Sequence, residues 1–318
     1  MNKRPLGNSG INIAPLVFGG NVFGWTADEK TSFTLLDAFV DLGLDCIDTA
    51  DVYSRWVPGN KGGESETIIG NWLKKTGKRN QVVIATKCGS SMNANDPSKN
   101  LSKAYIIKAA EDSLKRLQTD HIDLYQSHYD DSDTPVQETL EAYEQLIKQG
   151  KVRAIGASNF SASRLQESLD VSKHLNLPNY VTLQPEYNLY DREGYEKELE
   201  PLCGENNLGV ITYYSLASGF LSGKYRNEGD LHQSKRGAGI KKYLNDRGQR
   251  ILNALDLTAK NHNTTPATVS LAWVIARPGI TAPIASATSV KQLQELAQSV
   301  SLQLPQEVII ELTEASAY

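Results

Sequence analysis

Four ionisable side chains stand where this sequence could move a proton. The stretch CIDTADVYSRW (residues 46–56) places Asp48, Asp51 and Tyr53 directly after an apolar run. Lys87 closes the run VVIATK, and His128 closes LYQSH. Each has a plain reading when taken alone: Asp51 as a solvated loop carboxylate, Lys87 as a lysine snorkelling from a strand end, His128 as a satisfied core histidine, Tyr53 as a loop aromatic. Asp48, Tyr53, Lys87 and His128 nevertheless fall at equivalent places on successive units. A carboxylate, a phenol, an ammonium and an imidazole brought to one face make an acid–base set, and the chemistry they suggest is proton transfer.

The elements that must position them follow from the hydrophobic pattern. Apolar, β-branched runs at residues 16–20, 44–50, 82–87 and 121–128 alternate with helix-period segments, and four further pairs follow, ending with APIASA and VKQLQELAQSV. Nearly continuous apolar runs indicate strands buried on both faces. Eight strand–helix units predict a (β/α)8 barrel of α/β class, with chemistry at the C-terminal strand ends. A doubly wound dinucleotide fold is disfavoured, because the first strand ends in GGNVFG, with Asn21 in place of the second fingerprint glycine. The early KRPLGNSGINIAP reads as a small N-terminal β-hairpin capping the barrel base. Residues 1–318 read as one domain, and residues 225–246 as its longest irregular loop.

Composition narrows the class. With 40% hydrophobic and 22% charged residues the chain can bury a large core, and its net charge of -4 gives no reason to expect nucleic acid or membrane as partner. No stretch approaches the roughly 20 apolar residues of a membrane span, and MNKRPLGNSG has no signal core, so a cytoplasmic protein is expected. Cys46, Cys88 and Cys203 lack CxxC spacing and read as buried free thiols. His121, His174, His232 and His262 show no metal-ligand spacing, and no metal is expected.

The blocks CIDTADVY, GGESETIIG, VVIATK, HIDLYQSH, GKVRAIGASNF, LQPEYNL, TYYSLASGFLSGKY and SATSVKQLQE together resemble the aldo-keto reductases, over nearly the whole chain. The branch resembled holds bacterial reductases and potassium-channel β-subunits. The resemblance implies hydride transfer from a nicotinamide to a carbonyl carbon, with NADPH favoured over NADH. Tyr53 is then the proton donor, its pKa brought down by a neighbouring Lys87. Asp48 becomes the counter-ion of Lys87, and His128 the group that orients the carbonyl oxygen.

The same resemblance distributes the cofactor. Ser158, Asn159 and Gln184 match positions that bond the nicotinamide carboxamide, and Tyr214 matches the ring that stacks on it. Ser215, Leu216, Gly219 and Lys224 match a pyrophosphate loop. Ser286, Thr288, Gln292 and Glu295 match the adenosine-phosphate end, and Arg236 is placed to reach a 2′-phosphate. Ser286 stands where relatives commonly have glycine, Leu296 where they have asparagine, Gln292 where some have arginine, and Leu216 where proline is usual. Phe23, Trp25, Trp56 and Tyr129 flank the strand ends and are candidates for an apolar substrate pocket. Two other functions use the same residues: a nucleotide-binding sensor resembling a β-subunit, with little turnover, and a Schiff-base aldolase acting through Lys87. The small-molecule carbonyl substrate and any homo-oligomer are not specified by the sequence.

Overall fold

The computed structural model describes residues 2–318, the side chain of Ala238 excepted. Eight parallel strands close into a barrel: β3 (Val17–Gly19), β4 (Cys46–Asp48), β5 (Val83–Cys88), β6 (Ile122–Ser127), β7 (Val152–Ser158), β8 (Tyr180–Gln184), β9 (Gly209–Thr212) and β10 (Ile280–Ala285). Each is hydrogen-bonded to its sequence neighbour, and β10 returns to β3. The β/α barrel expected from the pattern is what the chain forms. The preceding β1 (Arg4–Pro5) and β2 (Asn12–Ile13) pair antiparallel, Arg4 opposite Ile13, as the predicted hairpin.

The barrel interior follows from the two-residue period of a strand. Val17, Cys46, Ala85, Leu124, Ala154, Ile211 and Ala282 point inward, and Leu6, Ile11 and Ile13 of the hairpin join them as one apolar cluster that closes the base. The alternate residues, among them Ile47, Ile84, Tyr125, Ile155, Leu183 and Val210, pack outward in the larger core with the helices. The hairpin can seat this closely only because residue 7 is glycine. Its φ is +54°, and a Cβ there would lie 2.0 Å from the Val181 carbonyl oxygen.

Helices α1 (Glu29–Asp41), α2 (Glu64–Thr76), α3 (Lys103–Leu117), α4 (Val136–Lys148) and α5 (Ala162–Leu175) follow β3 to β7. Short helices α6 (Glu193–Glu196) and α7 (Leu199–Glu205) follow β8, then α8 (Asp246–Asn261) and α9 (Pro266–Ala276) follow β9. The ring ends with α10 (Val290–Ala297) and α11 (Gln306–Ala315). Side chains predict several of the helix starts: Asp28, Ser161, Asn245, Thr265 and Ser289 each accept a first-turn N–H, and Pro266 opens α9. Residues 225–246, expected to be irregular, contain two 3-10 segments, Glu228–Gln233 and Gly237–Tyr243, because Asn227 caps the first and the Gly-rich second turns tightly. The three cysteines are free and buried. Among the described residues no helix is long and apolar enough to cross a membrane, and none of the His, Cys, Asp and Glu side chains form a metal-binding group.

Candidate active site

The inward-facing strand residues continue upward into the site. Two positions after Cys46, Ala85 and Leu124 come Asp48, Lys87 and Gln126, on the same interior face one layer nearer the C-terminal strand ends. There the residues change from apolar to ionisable. Lys87 is fully buried, and its Nζ makes three hydrogen bonds: to Asp48 Oδ2 at 2.7 Å, to the Thr49 carbonyl at 2.9 Å and to Tyr53 Oη at 2.8 Å. All three N–H donors of the ammonium are thereby used. The other carboxylate oxygen, Asp48 Oδ1, accepts from Gln184 Nε2 at 2.9 Å. Tyr53 Oη stands 3.5 Å from Asp48 Oδ2, too far for a strong bond, which leaves the phenolic hydrogen able to point into the space above.

That space is a cavity of about 720 Å3, walled by Tyr53, His128 and Trp56 near the strand ends and by Lys224, Arg236 and Gln292 in the later loops. Burial, followed by the charges of Asp48 and of neighbouring phenols, holds the Tyr53 phenol well above its ordinary value. The lowering expected from Lys87 is thus not what this site produces. The physical reason is the 2.7 Å ion pair: Asp48 neutralises the ammonium, little net positive field reaches Tyr53, and desolvation dominates. His128 is held well below its ordinary value by burial and by Lys87, Lys99 and Arg55, so its imidazole is neutral. Its Nδ1 is buried without a partner. A buried N–H without an acceptor would be costly, which favours the tautomer with hydrogen on Nε2, the nitrogen left to face the cavity.

Asp51, read from sequence as a solvated carboxylate, is 1% exposed, and its Oδ1 has no partner. Burial first, and Glu66 second, push its pKa well up, so it is a protonated interior acid. Strand–loop geometry explains the error, because its backbone N–H bonds the Lys87 carbonyl and draws the loop under the site.

The remaining expected residues divide by where the fold puts them. Ser158, Asn159, Gln184, Tyr214, Ser215, Leu216, Gly219, Lys224, Arg236, Ser286, Thr288, Gln292 and Glu295 all line the one cavity. Several are already held by the protein. Ser158 Oγ donates to the Gln184 carbonyl at 2.8 Å, and Asn159 Nδ2 donates to the His128 carbonyl at 2.9 Å. Asn159 Oδ1 accepts from Tyr213 at 2.7 Å, so the phenol beside Tyr214 orients this amide while the Tyr214 ring is half exposed in the cavity wall. Ser286 Oγ donates to the Gly19 carbonyl at 2.7 Å. The Asn21 amide, with its nitrogen toward Ser286 Oγ at 2.7 Å, presents its oxygen to Arg236 Nη2 at 3.1 Å. Gln292 Oε1 accepts from the Thr288 N–H and hydroxyl, at 2.9 and 3.0 Å.

Of the aromatic candidates, Trp56 and Tyr129 stand in the cavity wall and Phe23 and Trp25 do not. Phe23 is fully buried, stacked on Phe18 at 5.2 Å, because the turn after β3 directs it down into the core. Trp25 backs Trp56 edge-on at 5.6 Å, with the Arg236 guanidinium 5.3 Å from its ring centre. The sequence reading missed Gln126, Arg55 and Ser90. Gln126 was within reach, since it stands two positions from Leu124 and from His128 and so shares their face.

The residues fit a nicotinamide dinucleotide on structural grounds. Ala217, Ser218 and Gly219 have successive positive φ values of 48°, 58° and 99°, a tight turn beside the cavity in which the Ala217 and Gly219 N–H groups already donate to the Tyr214 and Leu216 carbonyls, so the charge complement to a phosphate comes from side chains. Lys224 arches over Gly219, where a Cβ would come within 3.5 Å of its Nζ. Neither Lys224 nor Arg236 forms an ion pair with a carboxylate of the described residues.

A parallel β/α barrel thus carries an ion-paired lysine, a phenol and a neutral imidazole at its strand ends, an acid–base set around one cavity. The aldo/keto reductase family model matches residues 15–317, and the chain belongs to that family. It is 36% identical over 317 residues to the "Uncharacterized oxidoreductase YrpG" of Bacillus subtilis, covering 97% of this chain and 94% of that protein. It is likewise 36% identical to "Aldo-keto reductase YhdN" of the same organism, across 91% of this chain and 84% of the relative. A "Probable voltage-gated potassium channel subunit beta" of Oryza sativa subsp. japonica is 34% identical, across 93% of this chain and 90% of the relative.

Proposed function

We propose that this oxidoreductase reduces aldehydes or ketones to alcohols with a nicotinamide dinucleotide, NADPH in preference to NADH, and that Tyr53 gives the proton. The carrying observation is the 2.8 Å contact from Lys87 Nζ to Tyr53 Oη beneath an open cavity. The cofactor supplies a hydride to the carbonyl carbon when bound. Tyr53, kept protonated by its surroundings, donates to the oxygen as charge builds there, and the Lys87 N–H then stabilises the phenoxide left behind. Neutral His128 offers a second hydrogen bond to the same oxygen and fixes its direction. Asp48 holds Lys87 in place through its Oδ2, and is itself held by Gln184. Lys224 and Arg236, cations without carboxylate partners at the cofactor loops, support the phosphate-bearing nucleotide.

An aldolase role for Lys87 has no support, because its nitrogen is fully buried and bonded to three acceptors. Residues 1–318 are proposed to act as one reductase domain, and the three buried thiols with the net charge of -4 fit a cytoplasmic protein. The test is NADPH consumption with a reactive aromatic aldehyde, beside an NADH control and Tyr53→Phe. Loss of the acid should lower kcat about 100-fold or more. Nucleotide binding without turnover on a broad carbonyl panel would replace this reading with a nucleotide sensor, the reading that the likeness to a channel subunit favours.

A further inference from the structure

One corner of the cavity wall carries positive charge and unused donors that the proposed mechanism does not employ. Arg55, from the loop after β4, has its Nη1 buried with no hydrogen-bond partner. Ser90, from the loop after β5, is 1% exposed, and its Oγ also lacks a partner. Lys99 is bridged to Ser90 through the backbone and holds its Nζ 4.3 Å from the centre of the Tyr129 ring, which stacks on His128 at 5.0 Å. Arg55 and Ser90 therefore line the His128 side of the cavity, and Lys99 stands over the ring of Tyr129 in that wall, all on loops separate from those that carry Lys224 and Arg236.

Among the described residues neither Arg55 nor Lys99 is in an ion pair. Asp51 lies beneath Arg55 but is buried beside Glu66 and retains its proton. Asp96 is half-buried and its charge acts on both Arg55 and Lys99, but it contacts neither, and its oxygens accept from the Ser98 N–H and hydroxyl, both at 2.9 Å. Lys99 is held below its ordinary value by burial and then by Arg55, with Asp96 acting in the opposite sense but less strongly, so repulsion between the two cations outweighs that carboxylate. A buried guanidinium nitrogen and a buried hydroxyl left without acceptors in the wall of a binding cavity are the complement of an oxyanion.

We propose that Arg55, Ser90 and Lys99 form a subsite for an oxyanion on the substrate, so that the carbonyl compound taken by this site carries a carboxylate or phosphate. This rests on the reductase reading above. A single anionic group here would accept from Arg55, with Ser90 and Lys99 beside it. The aldehyde carbon would then extend past Tyr129 toward Tyr53 and His128.

The experiment compares 3- and 4-carboxybenzaldehyde with the corresponding formylbenzamides, neutral molecules of nearly the same shape, and adds 4-formylphenyl phosphate. For the wild-type protein kcat/KM is expected to be about tenfold or more higher for at least one carboxylate than for its amide, mainly through KM. Preference for the phosphate over both carboxylates would identify a phosphate ester as the group. The acid-to-amide ratio should fall toward one in Arg55→Met and recover partly in Arg55→Lys, which retains the charge. Equal kcat/KM for acid and amide in the wild type overturns the subsite while leaving the reductase reading intact. If no aldehyde is turned over, the reductase reading fails, and calorimetry decides the subsite separately. Terephthalate binding tighter than terephthalamide, with the difference lost in Arg55→Met, supports it, and equal binding overturns it.

Discussion

Replacing Asp48 by Asn tests the central electrostatic idea most directly. The substitution conserves shape and removes one charge from a pair whose side chains are 2% and 1% exposed. Asp48 accepts from Lys87 through Oδ2 and from Gln184 through Oδ1, but Asn has one carbonyl oxygen, so one of the two donors must face an NH2 group. Breaking a buried ion pair by removing one partner costs about 3–5 kcal/mol. At about 2.1 cal/mol/K per residue, a chain of 318 residues loses roughly 1.5 °C of Tm per kcal/mol, so the variant should melt about 4–8 °C lower. The assay is scanning calorimetry of the wild type, Asp48→Asn, and the double variant Asp48→Asn with Lys87→Met. Removing the stranded charge should restore much of the loss without restoring turnover. A Tm change under about 1 °C, or a double variant no more stable than the single one, would refute the claim that an uncompensated ammonium is the cause.

Other outcomes follow from the same geometry. His128 is neutral when folded but takes a proton when unfolded below its ordinary value of 6.5, so its contribution to stability is complete above that pH and is lost as pH falls further. The slope is at most about 1.4 kcal/mol per pH unit, and calorimetry of His128→Asn should show a flatter acid limb; an unchanged limb would count against a neutral buried imidazole. Arg236→Met should weaken NADPH binding about tenfold or more while changing NADH binding less, read by fluorescence titration; equal losses for both would remove Arg236 from 2′-phosphate recognition. Gly7→Ala forces a Cβ to within 2.0 Å of the Val181 oxygen at a φ of +54°, so the hairpin must move. A loss of about 2 kcal/mol or more in urea unfolding is expected, and a neutral result would mean that the barrel base tolerates the displacement.

What the sequence determined by itself was the part encoded in local pattern. Apolar runs alternating with helix-period segments specify a β/α barrel, because a strand buried on both faces and a helix buried on one leave different signatures in the chain. The order of Asp48, Tyr53, Lys87 and His128 on successive units also sufficed to place them on one face, since strand ends converge once the barrel closes. Properties that depend on neighbours distant in sequence were decided only in three dimensions. Asp51 and Tyr53 are two residues apart in a loop that looks solvated, yet closure of the barrel buries Asp51 and raises both groups. Phe23 and Trp56 belong to equally aromatic loops, and only the turn after β3 sends one into the core and leaves the other in the cavity wall. The unpartnered Nη1 of Arg55 was likewise invisible, because a donor's lack of a partner is a property of everything that surrounds it. Electrostatics and burial sum over everything nearby, and folding alone decides what is nearby.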